Sequence, residues 1–287
     1  MRIAPPSART TPPPVVWTIA GSDPSGGAGI QADIRVLHGL GAYPGTILTT
    51  LIAQNTRGIQ RLEYVAPEWI TAQWDALAED LPPRIIKLGL LGSSPAVARL
   101  AELLSTISAE VLCDPVLAAS DGTPLLEPAA LPILRARLLP RVDLLTPNWP
   151  EAEMLLERPI PVGGELEALG ALRALGPCAV LLKGGHTRGG ESTDWWSDGN
   201  QILGFTSPRI QTRAGHGTGC VLSAAIAAAR ARGLPWPAAI AVGKAYLNQG
   251  LRRAPRLGGG AGPLFLGGWP RALRDFPLVF LKSAGIV

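Results

Sequence analysis

Cysteine is scarce in this chain of 287 residues. Cys113, Cys178 and Cys220 are an odd number with no CxxC pair, which argues against both a disulfide framework and a thiolate zinc site. His38, His186 and His216 are the three histidines and lie far apart. Charged residues are 17% and aromatic residues 5% of the chain. The net charge of +4 is spread along the sequence, with no Lys/Arg block of the kind that grips nucleic acid. No apolar run reaches membrane-span length. The N-terminal stretch MRIAPPSARTTPPP has no apolar centre of a signal peptide. The expectations are a disordered lead over residues 1–14, one domain over residues 15–287 and a reducing, cytoplasmic setting.

What is present is an alternation. Short apolar runs at Val15–Ala20, Thr46–Ala53, Ile85–Leu90, Val111–Cys113, Val142–Leu145 and Ala179–Leu182 read as strands buried on both faces. Between them, helical spacing predicts helices over Ala28–Leu40, Pro67–Leu77, Ala96–Ile107, Ala129–Leu138 and Leu166–Leu175. A further helix is expected over Val221–Ala229, and a short one around Trp269–Asp275. Strand–helix alternation implies right-handed crossovers and an α/β fold: a mainly parallel central sheet with helices on both faces.

Ligands of such sheets bind beyond the carboxyl ends of the strands. The polar and glycine residues gather there: GSDPSGGAG, AQN, GLLGSS, CDP, TPNWPE and KGGH each follow an apolar run. Gly27-Ala28-Gly29 begins a GxGxxA pattern, but the acidic residue of a dinucleotide site is missing, since no Asp or Glu occurs from Arg35 to Arg61. No GxxxxGK[ST] loop occurs either. Gly217-Thr218-Gly219-Cys220 opens a helix. The free amides and dipole of a helix start suit a transferring phosphoryl group, and glycine lets it approach. Packing without a ligand would need the same glycines. Lys183 ends a strand and can neutralise a phosphate. Asn148 and Glu151 offer oxygen ligands for Mg²⁺, although the same NxxE spacing also makes a helix capping box. Asp114 adds a carboxylate at another strand end. Together these residues equip a site for phosphoryl transfer without a P-loop.

TIAGSDPSGGAGIQADI (Thr18–Ile34), GAY (Gly41–Tyr43), AQNTRG (Ala53–Gly58), CDPV (Cys113–Val116), LLTPNWPEAE (Leu144–Glu153), LLKGGH (Leu181–His186) and HGTGC (His216–Cys220) closely resemble, in order, the hydroxymethylpyrimidine/phosphomethylpyrimidine kinases of thiamine biosynthesis. The resemblance runs from about Val15 to Gly250. It implies a three-layer ribokinase-like fold, a homodimer, and ATP with Mg²⁺ as co-substrate and metal. It also implies two successive transfers, to 4-amino-5-hydroxymethyl-2-methylpyrimidine and then to its monophosphate. It places Gln54, Asp33 and the Gly21 backbone around the pyrimidine, with Leu90 where relatives commonly carry Met. After Gly262-Pro263 this chain reads LFLGGW where many relatives carry histidines.

Cys220 stands where ribokinase-like sugar kinases place an aspartate that takes the acceptor's proton. A helix N-terminus lowers a thiol's pKa, so a useful thiolate fraction is expected, with Cys220 as base for the first transfer. The amides of Gly217, Thr218, Gly219 and Cys220 would stabilise the transferring group. A monophosphate acceptor is already ionised, so a thiol at this position also spares it a fixed carboxylate. Lys183 and Asn148 are assigned to ATP, and Glu151 and Asp114 to the metal. Gly184–Gly190 is a candidate lid. Three rivals remain: a pyridoxal or pyridoxine kinase, a non-catalytic pyrimidine-binding regulator, and a thiol hydrolase built on Cys220 and His216.

Overall fold

A computed structural model describes residues 12–119, 122–186 and 189–282, with His186 described by its backbone alone. The expected disordered lead therefore falls mostly outside the described residues, as do two positions of the candidate lid. Ten strands form one sheet: β1 (Val15–Gly21), β2 (Tyr43–Asn55), β3 (Gly58–Tyr64), β4 (Ile85–Leu88), β5 (Glu110–Cys113), β6 (Leu144–Leu145), β7 (Ala179–Leu182), β8 (Glu191–Ser197), β9 (Ile202–Pro208) and β10 (Leu278–Leu281). Their order across the sheet is β10-β9-β8-β7-β6-β5-β4-β1-β2-β3. The run from β7 to β2 pairs in parallel, whereas β3 at one edge and β8 to β10 at the other are added antiparallel.

The central strands are short and apolar because both of their faces are covered. Neighbouring residues point to opposite layers: Trp17, Ile86, Cys113, Leu145 and Leu182 into one core, Val16, Ile85, Leu112, Leu144 and Leu181 into the other. The first core is closed by α2 (Pro67–Asp80), α3 (Ser94–Leu103), α4 (Ala130–Ile133), α5 (Trp149–Leu156) and α6 (Glu165–Arg173). The second is closed by α1 (Gly29–Gly39), α7 (Thr218–Ala231) and α8 (Trp236–Arg252). This is the three-layer α/β arrangement that the sequence implies. Among the described residues, no helix is long and apolar enough to cross a membrane.

Helix α7 carries ten buried residues in TGCVLSAAIAAARA, so it is a central helix without a solvent face. Its alanines let α8 approach closely: a side chain at Gly243 of α8 would meet Ile226 of α7. The predicted helix over Ala129–Leu138 is instead a short α4 that widens into a π turn at Leu134–Leu138 and tightens into a 3₁₀ turn at Leu139–Arg141, where Pro140 lies. The helix expected around Trp269–Asp275 is only a 3₁₀ turn, Leu273–Asp275.

A fully buried charged pair lies inside this framework. Lys87 of β4 and Asp33 of α1 are both fully buried and meet at 2.7 Å. The Thr18 hydroxyl donates to the same carboxylate oxygen at 2.5 Å, and the other oxygen, Oδ1, is buried without a partner among the described residues. Burial pulls the Lys87 ammonium down, but Asp33 and further negative groups hold it above its ordinary value. Removing one member strands the other in a low-dielectric interior, at a cost of about 3–5 kcal/mol. Lys87→Met should therefore destabilise the protein by about that amount in urea denaturation, and the double variant Lys87→Met/Asp33→Asn should recover part of it. A loss below about 1 kcal/mol for the single variant would contradict the buried pairing.

Candidate active site

The strand ends open into a cleft of about 860 Å³. Three of them bring charge together. Asp114 follows β5, Asn148 and Glu151 follow β6, and Lys183 follows β7. A single parallel bridge between Asn148 and Lys183, with the Lys183 amide donating to the Pro147 carbonyl at 2.9 Å, extends the β6–β7 pairing and sets this register. Lys183 Nζ then lies 2.7 Å from Asp114 Oδ1 and 3.7 Å from Glu151 Oε2. Thr146 and Ser223 hydroxyls also donate to Asp114.

The electrostatics follow from burial and pairing. Burial pulls Lys183 down, but Asp114 and Glu151 hold it above its ordinary value. Burial pushes Asp114 up, and Lys183 with Lys87 outweighs it, so the carboxyl is held below its ordinary value. Glu151 goes the other way: burial pushes it up to about 7 against the pull of Lys183. Asn148 and Glu151 form the complete capping box of α5, each side chain accepting from the other's backbone amide, at 2.9 and 2.7 Å. Both residues also line the cleft, so the cap and a ligand-facing role coexist.

Helix α7 begins over this cluster. Its N-cap Gly217 sits at φ +76°, a left-handed conformation that glycine adopts without strain, and the Gly27 carbonyl occupies the place of a Cβ. A Cβ on Gly219 would lie 3.2 Å from Asp114 Oδ2 and 3.4 Å from Lys183 Nζ. The missing side chain leaves a cradle between a helix N-terminus, an ammonium and two carboxylates. That donor set fits a phosphate chain carrying Mg²⁺, which takes oxygen ligands and retains waters. Among the described residues no group of three or more His, Cys, Asp or Glu could hold a metal alone.

At the other end the wall is apolar. Ile52, Leu90 and Leu125 form a small buried cluster with Ile59 and Val116 beside it. Gly21 is packed here so tightly that a Cβ would lie 3.0 Å from Leu90 Cδ2. Strand irregularities at Ala20/Gly21 and Ala53/Gln54 re-aim the chain at this rim, and Gln54 turns into the cleft beside Asp23.

Asp23 is a site residue that sequence reasoning passed over. Its carboxylate accepts from the Ser25 amide and hydroxyl, the Gly27 and Ala28 amides, and pairs with His216 Nε2 at 2.7 Å. Burial pushes it up, yet His216 and Ser25 hold it well below the usual carboxylate range. It clasps the GSDPSGGAG loop to the HGTGC loop. The Asp-x-Ser spacing of an Asx-turn was the available local signal. His216 thus pairs with Asp23, and among the described residues it makes no bond to Cys220 of the kind that a thiol hydrolase built on these two residues needs.

Two expectations need correction. Asp33 is not among the residues that line the cleft: it is wholly buried against Lys87. Cys220 lines the cleft, but its thiol is not acidified. Burial pushes it up to about 11, with the nearby Asp33 and Asp114 charges adding to the rise against the pull of Lys87 and a Gly29 amide hydrogen bond. Desolvation of the thiol outweighs the favourable place at a helix start. Gly21, Gln54, Leu90, Asp114, Asn148, Glu151, Lys183 and Gly217 to Cys220 all face the one cleft.

The Cys220 thiol is therefore neutral at pH 7 to 8. Its alkylation by iodoacetamide, followed by peptide mapping to separate it from exposed Cys178, should keep rising as pH approaches about 11. A plateau near neutrality would show an acidified thiol instead.

Comparison with known proteins agrees with this chemistry. The family model described as phosphomethylpyrimidine kinase matches residues 23–265. A hydroxymethylpyrimidine/phosphomethylpyrimidine kinase of Escherichia coli K12 is 44% identical over 252 residues, covering 86% of this chain and 95% of its own. The crystal structure of phosphomethylpyrimidine kinase from Clostridium difficile 630 superposes with a TM-score of 0.73 at 34% identity, covering 82% of this chain and 97% of that one. The pyridoxal kinase of Staphylococcus aureus in complex with AMP-PCP and pyridoxal superposes with a TM-score of 0.84 at 25% identity, covering 95% and 99%. On a ribokinase-like frame, with Lys183, Asp114 and Glu151 gathered at its strand ends, the chain is a kinase and belongs to the phosphomethylpyrimidine kinase family.

Proposed function

We propose that this kinase transfers the γ-phosphoryl group of ATP to the hydroxymethyl group of 4-amino-5-hydroxymethyl-2-methylpyrimidine, and a second phosphoryl group to the resulting monophosphate, in thiamine biosynthesis. The carrying observation is the meeting of Lys183, Asp114 and Glu151 under the Gly217–Cys220 helix start, opposite the apolar Ile52–Leu90 wall. The flat heterocycle packs on that wall, and the Gln54 amide both donates to and accepts from its edge. Asp33 supports this pocket from behind, through Lys87. The α7 amides and Lys183 receive the phosphate chain, with Asn148 shaping the cradle by capping α5. Glu151 and Asp114 hold Mg²⁺ or its waters. The metal supplies charge neutralisation on the transferring group.

Cys220 enters this reading as a neutral thiol that positions the acceptor oxygen. A loose phosphoryl-transfer transition state needs little removal of the hydroxyl proton before the P–O bond forms. Neutrality matters more for the second transfer, whose acceptor is an anion. The homodimer, the cytoplasmic setting and the single domain over residues 15–287 belong to the same reading.

Pyridoxal is the competing acceptor, favoured by the overlap with the S. aureus kinase. A non-catalytic regulator would have no need of Lys183 and both carboxylates in one cradle. Incubation with ATP, Mg²⁺ and an equimolar mixture of the pyrimidine alcohol and pyridoxal, read by mass spectrometry, should give pyrimidine mono- and diphosphate as the main products. Pyridoxal phosphate as the main product would overturn the substrate assignment. Cys220→Asp should leave the first transfer within about tenfold and slow the second by about a hundredfold in single-turnover assays. Equal losses in both would contradict the role given to thiol neutrality.

A further inference from the structure

Helix α8 serves two cavities. Lys244, Leu247 and Asn248 line the catalytic cleft. Gln249, Arg252 and Arg253 face a second cavity of about 440 Å³, whose other walls come from Phe265 and from the segment between residues 268 and 275. Four arginines line it, Arg252, Arg253, Arg271 and Arg274, against one carboxylate, Asp275. Asp275 Oδ1 lies 3.4 Å from Arg252. Among the described residues, Arg253, Arg271 and Arg274 have no carboxylate at ion-pair distance. Arg253 lies instead over the Phe265 ring, 5.2 Å from its centroid. The indole Nε1 of Trp269, another lining residue, is buried with no hydrogen-bond partner among the described residues.

Like charges collected around a concavity raise one another's energy, and the field inside is stronger than over a flat surface. A guanidinium cannot relieve this by losing its proton. Water screens the exposed Arg253, Arg271 and Arg274 in part, and a bound anion relieves the repulsion further. Several guanidinium forks match an anion with many oxygens better than a single carboxylate.

We infer that this cavity binds a small polyphosphate, recognised through a diphosphate group that is either free or at the end of an organic molecule. The site is separate from the phosphate cradle of the cleft, which uses Lys183 and a helix N-terminus. Asp275 links the two, since its carbonyl accepts from Asn248 Nδ2 at 2.8 Å while its carboxylate faces Arg252.

The test is isothermal titration calorimetry without Mg²⁺, using inorganic pyrophosphate on the wild type, Lys183→Ala and Arg271→Ala/Arg274→Ala. Both arginines are exposed, so the fold and the kinase activity should persist in the double variant. The expected result is a binding event that survives Lys183→Ala, weakens with added salt and falls by about tenfold or more in the arginine double variant. Arg271→Lys/Arg274→Lys should recover part of the affinity, because the charge remains and only the fork is lost. Methyl diphosphate in place of pyrophosphate separates the sources: binding as tight or tighter assigns an esterified diphosphate, and weaker binding assigns the free anion. Absence of pyrophosphate binding, or binding that disappears in Lys183→Ala and ignores the arginine variant, overturns the inference.

Discussion

A buried lysine held between two carboxylates is the constraint around which the rest of the cleft is arranged. Lys183, Asp114 and Glu151 come from the ends of three adjacent strands, and parallel pairing is what sets them side by side. The three ionisable groups are tolerable only because each is paired or hydrogen-bonded, with Thr146 and Ser223 satisfying Asp114 and the α5 capping box holding Glu151. Helix α7 must then start directly over the cluster. Gly219 has no side chain because one would press on Asp114 and Lys183, and the alanines that follow let this helix sink between α1 and α8.

A second carboxylate cluster organises the loops above. Asp23 collects amides from its own glycine loop and pairs with His216 from the loop that begins α7. Two segments almost two hundred residues apart thereby become one wall. Gly27 and Gly217 are glycines for this reason. A Cβ on Gly27 would lie 2.6 Å from the His216 ring, and Gly217 meets the Gly27 carbonyl. The proposed division of labour follows: a polar end for phosphate, an apolar end for a flat ring, and Cys220 at their junction.

The central strands were legible because strands buried on both faces have few alternatives to continuous apolar runs. The strand-end residues were legible because the fold class fixes where ligands bind. The antiparallel edges were harder. Strands β8 and β9 are mixed in polarity, and their clearest sequence mark is the Asp198-Gly199 turn between them, with Gly199 at φ +91°. Helix α8 was missed, although Pro235 and Pro237 mark its start. The Asp33–Lys87 pair was illegible because its members are 54 residues apart and a lysine inside IIKL has no local signature of a buried partner. Cys220 shows the limit of a local rule: a helix start favours a thiolate, and desolvation of the thiol, with Asp33 and Asp114 nearby, reverses the balance.

The direct test of the proposed phosphate role is the affinity of Lys183→Met for AMP-PCP with Mg²⁺, measured by calorimetry beside its affinity for the pyrimidine alcohol. Nucleotide affinity should fall by about tenfold or more while pyrimidine affinity stays within about twofold. Unchanged nucleotide binding and turnover in the variant would contradict the role of the buried lysine as the cation of the phosphate cradle.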